Sequence, residues 1–373
     1  MTTEIAPFLE LMVERQASDL YFNGGAPVNI KVEGVTEPVD GPELTPVQVK
    51  ELAYSLMSDD QMKVFEEELE MDLGVTVKNI GRFRINVYRQ RGEVALVVRY
   101  IRSRIPGIEE LNLPPLLNDL VMEPRGLILV VGPAGSGKST TLAAMIEHRS
   151  RNRSGHILTI EDPVEYLHGH HRSVISQREV GFDTLSYPAA LRRAMRQAPD
   201  VILIGEIRDR ETMEQAISYA NTGHLCLSTL HATNANQTLD RIINFFPDSA
   251  HHQLFMDLAL NLTAIISQRL VIGRDGARLP AVELLLNSPY VSELIQRGEV
   301  QTIREAMIQS TDRGMQTFDQ ALFNLYREGR ISREEALGNA QSRNNLGLRI
   351  RLEESGRAVG QGEMQIDEDR PKA

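Results

Sequence analysis

The chain has 373 residues, 42% of them hydrophobic, which is enough for two or three domains with cores of their own. Its formal net charge of −11 argues against nucleic acid as the main partner, because phosphate binding needs a basic surface. The single cysteine, Cys226, excludes a disulfide framework and a four-cysteine zinc site, and points to a reducing compartment.

The N-terminal stretch "MTTEIAPFLELMVERQ" carries Glu4 and Glu10 and lacks the basic start and long apolar core of a signal peptide. It predicts an amphipathic helix with Phe8, Leu9, Met12 and Val13 on one side. No apolar run approaches the roughly 20 residues of a membrane helix, so a cytosolic protein is expected. In "GRFRINVYRQRGEVALVVRYI" (81–101), apolar and charged residues alternate on either side of an Arg-Gly turn signal, predicting a hairpin. "RIPGIEELNLPP" (104–115) reads as an interdomain linker.

From Gly126 the pattern becomes strand, helix, strand: "GLILVVG", "HILTIED", "VILIGE" and "HLCLSTLH" are nearly continuous apolar runs separated by helical segments. That pattern indicates a parallel sheet covered on both faces. From about 274 the chain reads as helical, with Phe318, Leu322, Leu325 and Tyr326 on one helical face and a capping-box form in "SREE" (332–335). The acidic, glycine-bearing end reads as disordered. The division expected is 1–104 N-terminal domain, 105–117 linker, 118–273 nucleotide-binding core, 274–352 helical region and 353–373 tail.

"GPAGSGKS" (132–139) has the form G-x-x-x-x-G-K-[ST] between a strand and a helix, the context of a P-loop. In the loop Gly132, Pro133, Ala134, Gly135, Ser136 and Gly137, the glycines would let backbone N–H groups close around phosphate oxygens. Lys138 would neutralise the β- and γ-phosphates, Ser139 would ligate Mg²⁺, and Thr140 continues the motif into the helix. The next strands end in Glu161 and Asp162, and in Glu206. Ligands of such sheets sit outside the carboxyl ends of the strands, so these acids should meet the P-loop in one crevice. ATP hydrolysis needs a metal to offset developing charge and a group to orient water, which suits Glu161 and Glu206, the latter also as a Mg²⁺ ligand through water. Asp162 reads better as a solvated helix cap.

Two histidines, His224 and His231, bracket "HLCLSTLH". Seven residues span roughly 23 Å in a strand or about 10 Å in a helix, too far for one shared metal. His231, at the carboxyl end, can reach the crevice; His224, at the other end, reads as structural. "HGHH" (168–171) reads as a solvated loop, and Arg193 and Arg196 as a solvated helix face.

Four motifs in this order resemble the secretion ATPase superfamily that powers type IV pili and type II secretion. "GPAGSGKS" matches its Walker A motif, "TIEDPVEY" (159–166) its Asp box, "DVILIGEIRD" (200–209) its atypical Walker B motif and "TGHLCLSTLHATNA" (222–235) its His box. The similarity runs from about residue 5 to 350, and "ASDLYFNGGAPVNIKVEG" (17–34) resembles the start of that family's PAS-like N-terminal domain. The resemblance implies an α/β fold: a PAS-like α+β domain followed by a RecA-like P-loop ATPase domain with a helical C-terminal part, in a hexameric ring. It further implies that Arg82, Arg84 and Arg99 reach the phosphates of ATP, that closure of the N-terminal domain over ATP supplies the stroke, and that His224 acts at the subunit boundary.

The chain lacks the four-cysteine segment and large N-terminal domain of assembly ATPases, and is similar instead to the compact PilT/PilU retraction family, including "GMQTFDQAL" (314–322). Where the PilT members of that family carry AIRNLIRE, this chain has "YVSELIQR" (290–297), with the apolar positions Val291, Leu294 and Ile295 kept and the polar face changed. The expectation is a PilU-like ATPase using ATP and Mg²⁺. It would work as a homohexamer beside a PilT-like ATPase on the inner-membrane pilus platform protein, at the cytoplasmic face, without nucleic acid. The alternatives are a stand-alone PilT-type motor and an assembly or type II secretion ATPase. A small-molecule P-loop kinase and an inactive adaptor are the readings from other classes.

Overall fold

The structure, a computed structural model, describes residues 5–32, 34–78, 80–309 and 314–361. It divides into two compact units: Met1–Ile105 with Pro163–His168, and Pro106–Asp162 with Gly169–Ala373.

The first unit is built on a six-stranded antiparallel sheet of β1 (Asp19–Phe22), β2 (Asn29–Val32), β3 (Val35–Pro38), β4 (Glu70–Val77), β5 (Gly81–Gln90) and β6 (Glu93–Ile101), in the order β3-β2-β1-β6-β5-β4. The expected hairpin is β5–β6. It turns at Arg91 and Gly92, both at positive φ (53° and 83°), the conformation a two-residue type I′ turn requires. Alternation along β5 buries Phe83, Ile85 and Val87 in one core with Leu9 and Met12 of helix Ala6–Glu14, Val49 and Leu52 of Pro46–Ser55, and Phe65 of Asp59–Glu68. Phe8 and Val13 pack partly buried against the same core. Thr45 and Ser58 begin the second and third helices with complete capping boxes. Part of the Asp box joins this unit: Leu167 N–H donates to the Arg102 carbonyl (3.1 Å) and Tyr166 is buried.

The second unit holds a seven-stranded sheet: β7 (Gly126–Val131), β8 (Gly155–Glu161), β9 (Ser173–Glu179), β10 (Val201–Ile204), β11 (Leu225–Leu230), β12 (Leu262–Ile272) and β13 (Arg278–Leu286). The order is β13-β12-β7-β11-β10-β8-β9, and every neighbouring pair is parallel except β12 with β13. Every residue of β7, β10 and β11 is buried, which explains their unbroken apolar sequences. Alternation sends Leu127, Leu129 and Val131 to one face and Ile128 and Val130 to the other. Helices cover both. Arg210–Asn221 and His251–Asn261 supply Met213, Ile217, Leu254 and Leu258 to the first face, while Lys138–Asn152 supplies Leu142, Met145 and Ile146 to the second. Each such Leu or Ile contributes about 1.5–3 kcal/mol by leaving water.

Three stretches differ from the sequence expectation. Arg278–Leu286, read as part of a helical region, is a strand: its continuous apolar run pairs antiparallel with β12 from Arg278↔Ile272 to Leu286↔Ala264. In the expected linker, Ile108, Leu113 and Leu117 are buried against Ile128 and Val130. The final helix, Arg343–Gln361, carries the start of the expected disordered tail; the rest of that tail lies outside the described residues. The C-terminal helix Phe318–Arg327 buries Phe318 and Leu322, with Leu325 and Tyr326 partly buried beside them, and Ser332 caps the following helix through Glu335 N–H.

Candidate functional site: a phosphate loop facing strand-end acids

β7 ends at Val131 and the helix Lys138–Asn152 begins at Lys138, so residues 132–137 form the turn between them. Gly132, Gly135 and Gly137 have φ of 155°, 75° and 91°, the left-handed region that glycine adopts without strain. Space also demands glycine at two of these positions. A Cβ on Gly132 would lie 2.4 Å from both the Gln268 carbonyl and Ser136 Oγ, and one on Gly137 would lie 2.9 Å from Gln268 Nε2. Ser136 Oγ is buried with no hydrogen-bond partner, a polar atom that a phosphate oxygen would satisfy. Lys138 Nζ donates to the carbonyls of Gly132 and Pro133 (3.0 Å each) and so folds over the loop. Pro133, Ala134 and Gly135 are exposed, and Ser139 and Thr140 are half-buried on the first turn of the helix.

β8, β10 and β11 are adjacent and parallel, so their carboxyl ends lie side by side. Glu161 closes β8, and its Oε1 accepts from Thr159 Oγ1 (2.6 Å) and Gln177 Nε2 (3.3 Å). Glu206 follows β10, and His231 follows β11. His231 Nε2 lies 3.1 Å from Glu206 Oε1, while Arg208 Nε donates to Glu206 Oε2 at 2.9 Å. Each carboxylate oxygen of Glu206 therefore has its own partner. The hydrogen bond and charge of Glu206 hold the Arg208 guanidinium more firmly protonated, and Asp162, 4.0 Å from Arg208, adds to this.

Sequence reasoning missed three residues here. Arg208 is one. Tyr187, the first residue of helix Tyr187–Ala194, is another: a Cβ on Gly205 would lie 2.7 Å from its hydroxyl. Burial, then the charges of Asp162, Glu161 and Glu206, push this phenol's pKa up against the opposing pull of Arg208, so it stays a neutral donor among the acids. Gln268 is the third. The only advance signal for Arg208 was its place in the stretch 200–209, two residues after Glu206; Tyr187 and Gln268 had none.

On the other side of the loop a cavity of about 250 Å³ is lined by Glu110, Leu113, Gly137, Thr140, Gln268 and Arg278. Three other histidines have partners away from Glu206. His224 Nδ1 contacts Thr222 Oγ1 (3.1 Å) at the opposite end of β11 from His231. His170 Nδ1 accepts from Ile175 N–H and His171 Nε2 meets Glu147 Oε1 at 2.8 Å. Among the described residues no three His, Cys, Asp or Glu side chains are grouped to hold a metal. Arg193 and Arg196 are exposed.

In the first unit, Arg82 and Arg84 lie on the face of β5 opposite Phe83 and Ile85, and Arg84 is the direct cross-strand neighbour of Arg99. Their like charges are offset: Arg84 NH2 pairs with Asp72 (3.0 Å) and Arg99 Nε with the buried Asp19 (2.8 Å). Arg82 Nε is buried without a hydrogen-bond partner.

A doubly covered, mainly parallel sheet with a P-loop facing strand-end carboxylates defines a nucleotide-binding P-loop protein. Residues 2–322 match the model of the type II/IV secretion system protein family. The type IV pilus ATPase PilU of Pseudomonas aeruginosa is 49% identical over 94% of this chain and 92% of its own length. The type IV pilus retraction ATPase PilT of the same organism is 40% identical over 92% of this chain and 100% of its own. A crystal structure of the pilus retraction motor PilT with bound ADP superposes with a TM-score of 0.85 at 41% identity, covering 91% of this chain and 98% of that one. The chain belongs to the type II/IV secretion system protein family, within its PilT/PilU group.

Proposed function

We propose that this protein is an ATP-hydrolysing motor that assists type IV pilus retraction and twitching motility, in the manner of PilU. The observation that carries the reading is the Glu206–His231 pair at the ends of β10 and β11, in the crevice that β7 and the P-loop open. The overall similarity to PilU supports the retraction role.

The backbone N–H groups of residues 134–139 and Ser136 Oγ bind the phosphates, and Lys138 exchanges its two loop carbonyls for phosphate oxygens. Glu206 orients the attacking water and takes its proton; His231 and Arg208 hold the carboxylate in position for that task. Glu161, fixed by Thr159 and Gln177, is a second acid at the same end of the sheet. Ser139, and Glu206 through water, would hold Mg²⁺, which when bound offsets charge on the phosphates. The cavity lined by Glu110 and Arg278 suits the nucleoside. Arg82, Arg84 and Arg99 serve as cations for the ATP phosphates, a role that requires Arg84 and Arg99 to leave Asp72 and Asp19.

On this reading the first unit is the PAS-like domain, the working form is a homohexamer, and the partners are a PilT-like ATPase and the platform protein at the cytoplasmic face of the inner membrane. Among the described residues no helix is long and apolar enough to cross a membrane. The helix Pro289–Gln296 supports assistance over independent retraction. Its apolar side is packed through Val291, Leu294 and Ile295, while its polar side is committed to local contacts: Ser292 Oγ donates to the Ala259 carbonyl (2.8 Å) and Glu293 pairs with Arg297.

Deleting the gene tests the role. Surface pili should persist while twitching is reduced or lost; disappearance of the pili would instead indicate an assembly motor.

A further inference from the structure

A phosphate loop binds well only if its N–H groups already converge, because ordering a glycine-rich turn on binding costs conformational entropy. Three left-handed glycines give residues 132–137 little preference of their own, so the shape must be imposed from outside. The register of β12 with β7 pairs Ser267 with Val131, which brings the next residue, Gln268, alongside Gly132. Gln268 is 4% exposed.

Its backbone carbonyl backs the start of the loop, close enough to exclude any side chain at Gly132. Its side chain backs the end. Oε1 accepts from the buried Thr141 hydroxyl at 2.7 Å on the helix that follows the loop, and this leaves the amide NH₂ facing Gly137. Gln268 also forms part of the wall of the cavity beside the loop. One residue of a rigid strand thus touches both ends of the loop, the first turn of its helix and the adjoining cavity.

We propose that Gln268 is a positioning residue for the nucleotide. It holds the phosphate loop open between Gly132 and Gly137, and presents an amide donor on the nucleoside side of the site. The proposal rests on the nucleotide reading of the loop. It assigns to Gln268 control of nucleotide affinity, not of the hydrolytic step.

Binding of a fluorescent ATP analogue to the full chain, measured beside steady-state turnover and nucleotide-free melting, tests it. Gln268→Met removes both amide functions at similar length and should weaken binding about tenfold, with kcat changed by no more than about threefold. Gln268→Glu keeps the acceptor for Thr141 but replaces the donor with an anion against the phosphates, so it should bind more weakly still. A merely structural role would lower the melting temperature without producing that order of affinities. Wild-type affinity in Gln268→Glu, or binding tighter than in Gln268→Met, overturns the proposal. Should neither variant fold, Thr141→Val decides: releasing the amide should weaken binding about threefold, and unchanged affinity overturns the idea. Lys138→Ala is the control that separates the two claims. If it binds as wild type, the nucleotide reading itself fails; if it alone loses binding, only the role of Gln268 does.

Discussion

His231 Nε2 sits 3.1 Å from one carboxylate oxygen of Glu206 while Arg208 Nε holds the other at 2.9 Å, so the acid at the end of β10 is gripped from two sides. A carboxylate so fixed has one orientation from which to address a water in the crevice, which is what a water-positioning base needs. Removing either grip should act through Glu206.

His231→Ala should therefore lower kcat for ATP hydrolysis on the order of tenfold to a hundredfold with little change in KM. In the Glu206→Ala background the same substitution should cost almost nothing more, because the pair acts as a unit. His224→Ala, at the far end of β11, should leave the turnover per assembled protein within about threefold and act instead on assembly or coupling. Equal losses of turnover in both histidine variants would contradict this asymmetry.

Gly205 and Tyr187 should be coupled. Gly205→Ala places a methyl 2.7 Å from the Tyr187 hydroxyl and 3.2 Å from Glu161 Cα, one residue before Glu206. Turnover should fall, and Tyr187→Phe in the same chain should restore part of it by removing the atom in closest conflict. Purely additive losses would show that the hydroxyl is not the obstacle.

Much of this site is legible in the sequence. The P-loop is a local motif, and the rule that ligands gather at the carboxyl ends of parallel strands brought Glu161, Glu206 and His231 together from strand patterns alone. Tyr187 and Gln268 were not legible, because each acts across strands or from a neighbouring helix; Arg208 lies within the quoted motif 200–209, but nothing in the motif marks it as the partner of Glu206. Gln268 lies beside the loop only through the register of β12 with β7, and no local pattern encodes a register between strands so far apart in sequence. β13 was missed for a related reason: "RLPAVELLL" is apolar without a period, and only its partner β12 makes it a strand.

Arg149 should prove a stability residue. It is 2% exposed, and its NH1 donates to the carbonyls of Val121 (2.5 Å) and Glu123 (2.8 Å), tying the helix Lys138–Asn152 to the end of helix Leu116–Met122. Burial, reinforced by Arg153, pulls its pKa down to about 10, so it remains charged at neutral pH. Arg149→Met should cost about 3 kcal/mol in urea unfolding, by leaving the buried Val121 carbonyl and the part-buried Glu123 carbonyl without this charged donor. A loss below about 1 kcal/mol would contradict that role.

Glu283 gives a pH dependence. Its carboxyl is 3% exposed on β13 and accepts from Ala235 N–H (2.8 Å) and Ser267 Oγ (3.3 Å), yet desolvation outweighs these donors and raises its pKa. The folded state therefore keeps this proton to higher pH than the unfolded chain. The stability linked to it is complete below the unfolded value and is lost as pH rises through the raised folded value. Glu283→Gln, which cannot titrate, should flatten that part of the fall in melting temperature with rising pH. An unchanged slope would mean that the linkage lies elsewhere.

The central claim is that Glu206 performs the hydrolytic step on ATP held by the P-loop. Single-turnover hydrolysis by Glu206→Gln, with nucleotide binding measured on the same sample, tests it most directly. ATP should bind with near wild-type affinity while its hydrolysis slows by about a hundredfold or more; hydrolysis at the wild-type rate with binding intact would contradict the account.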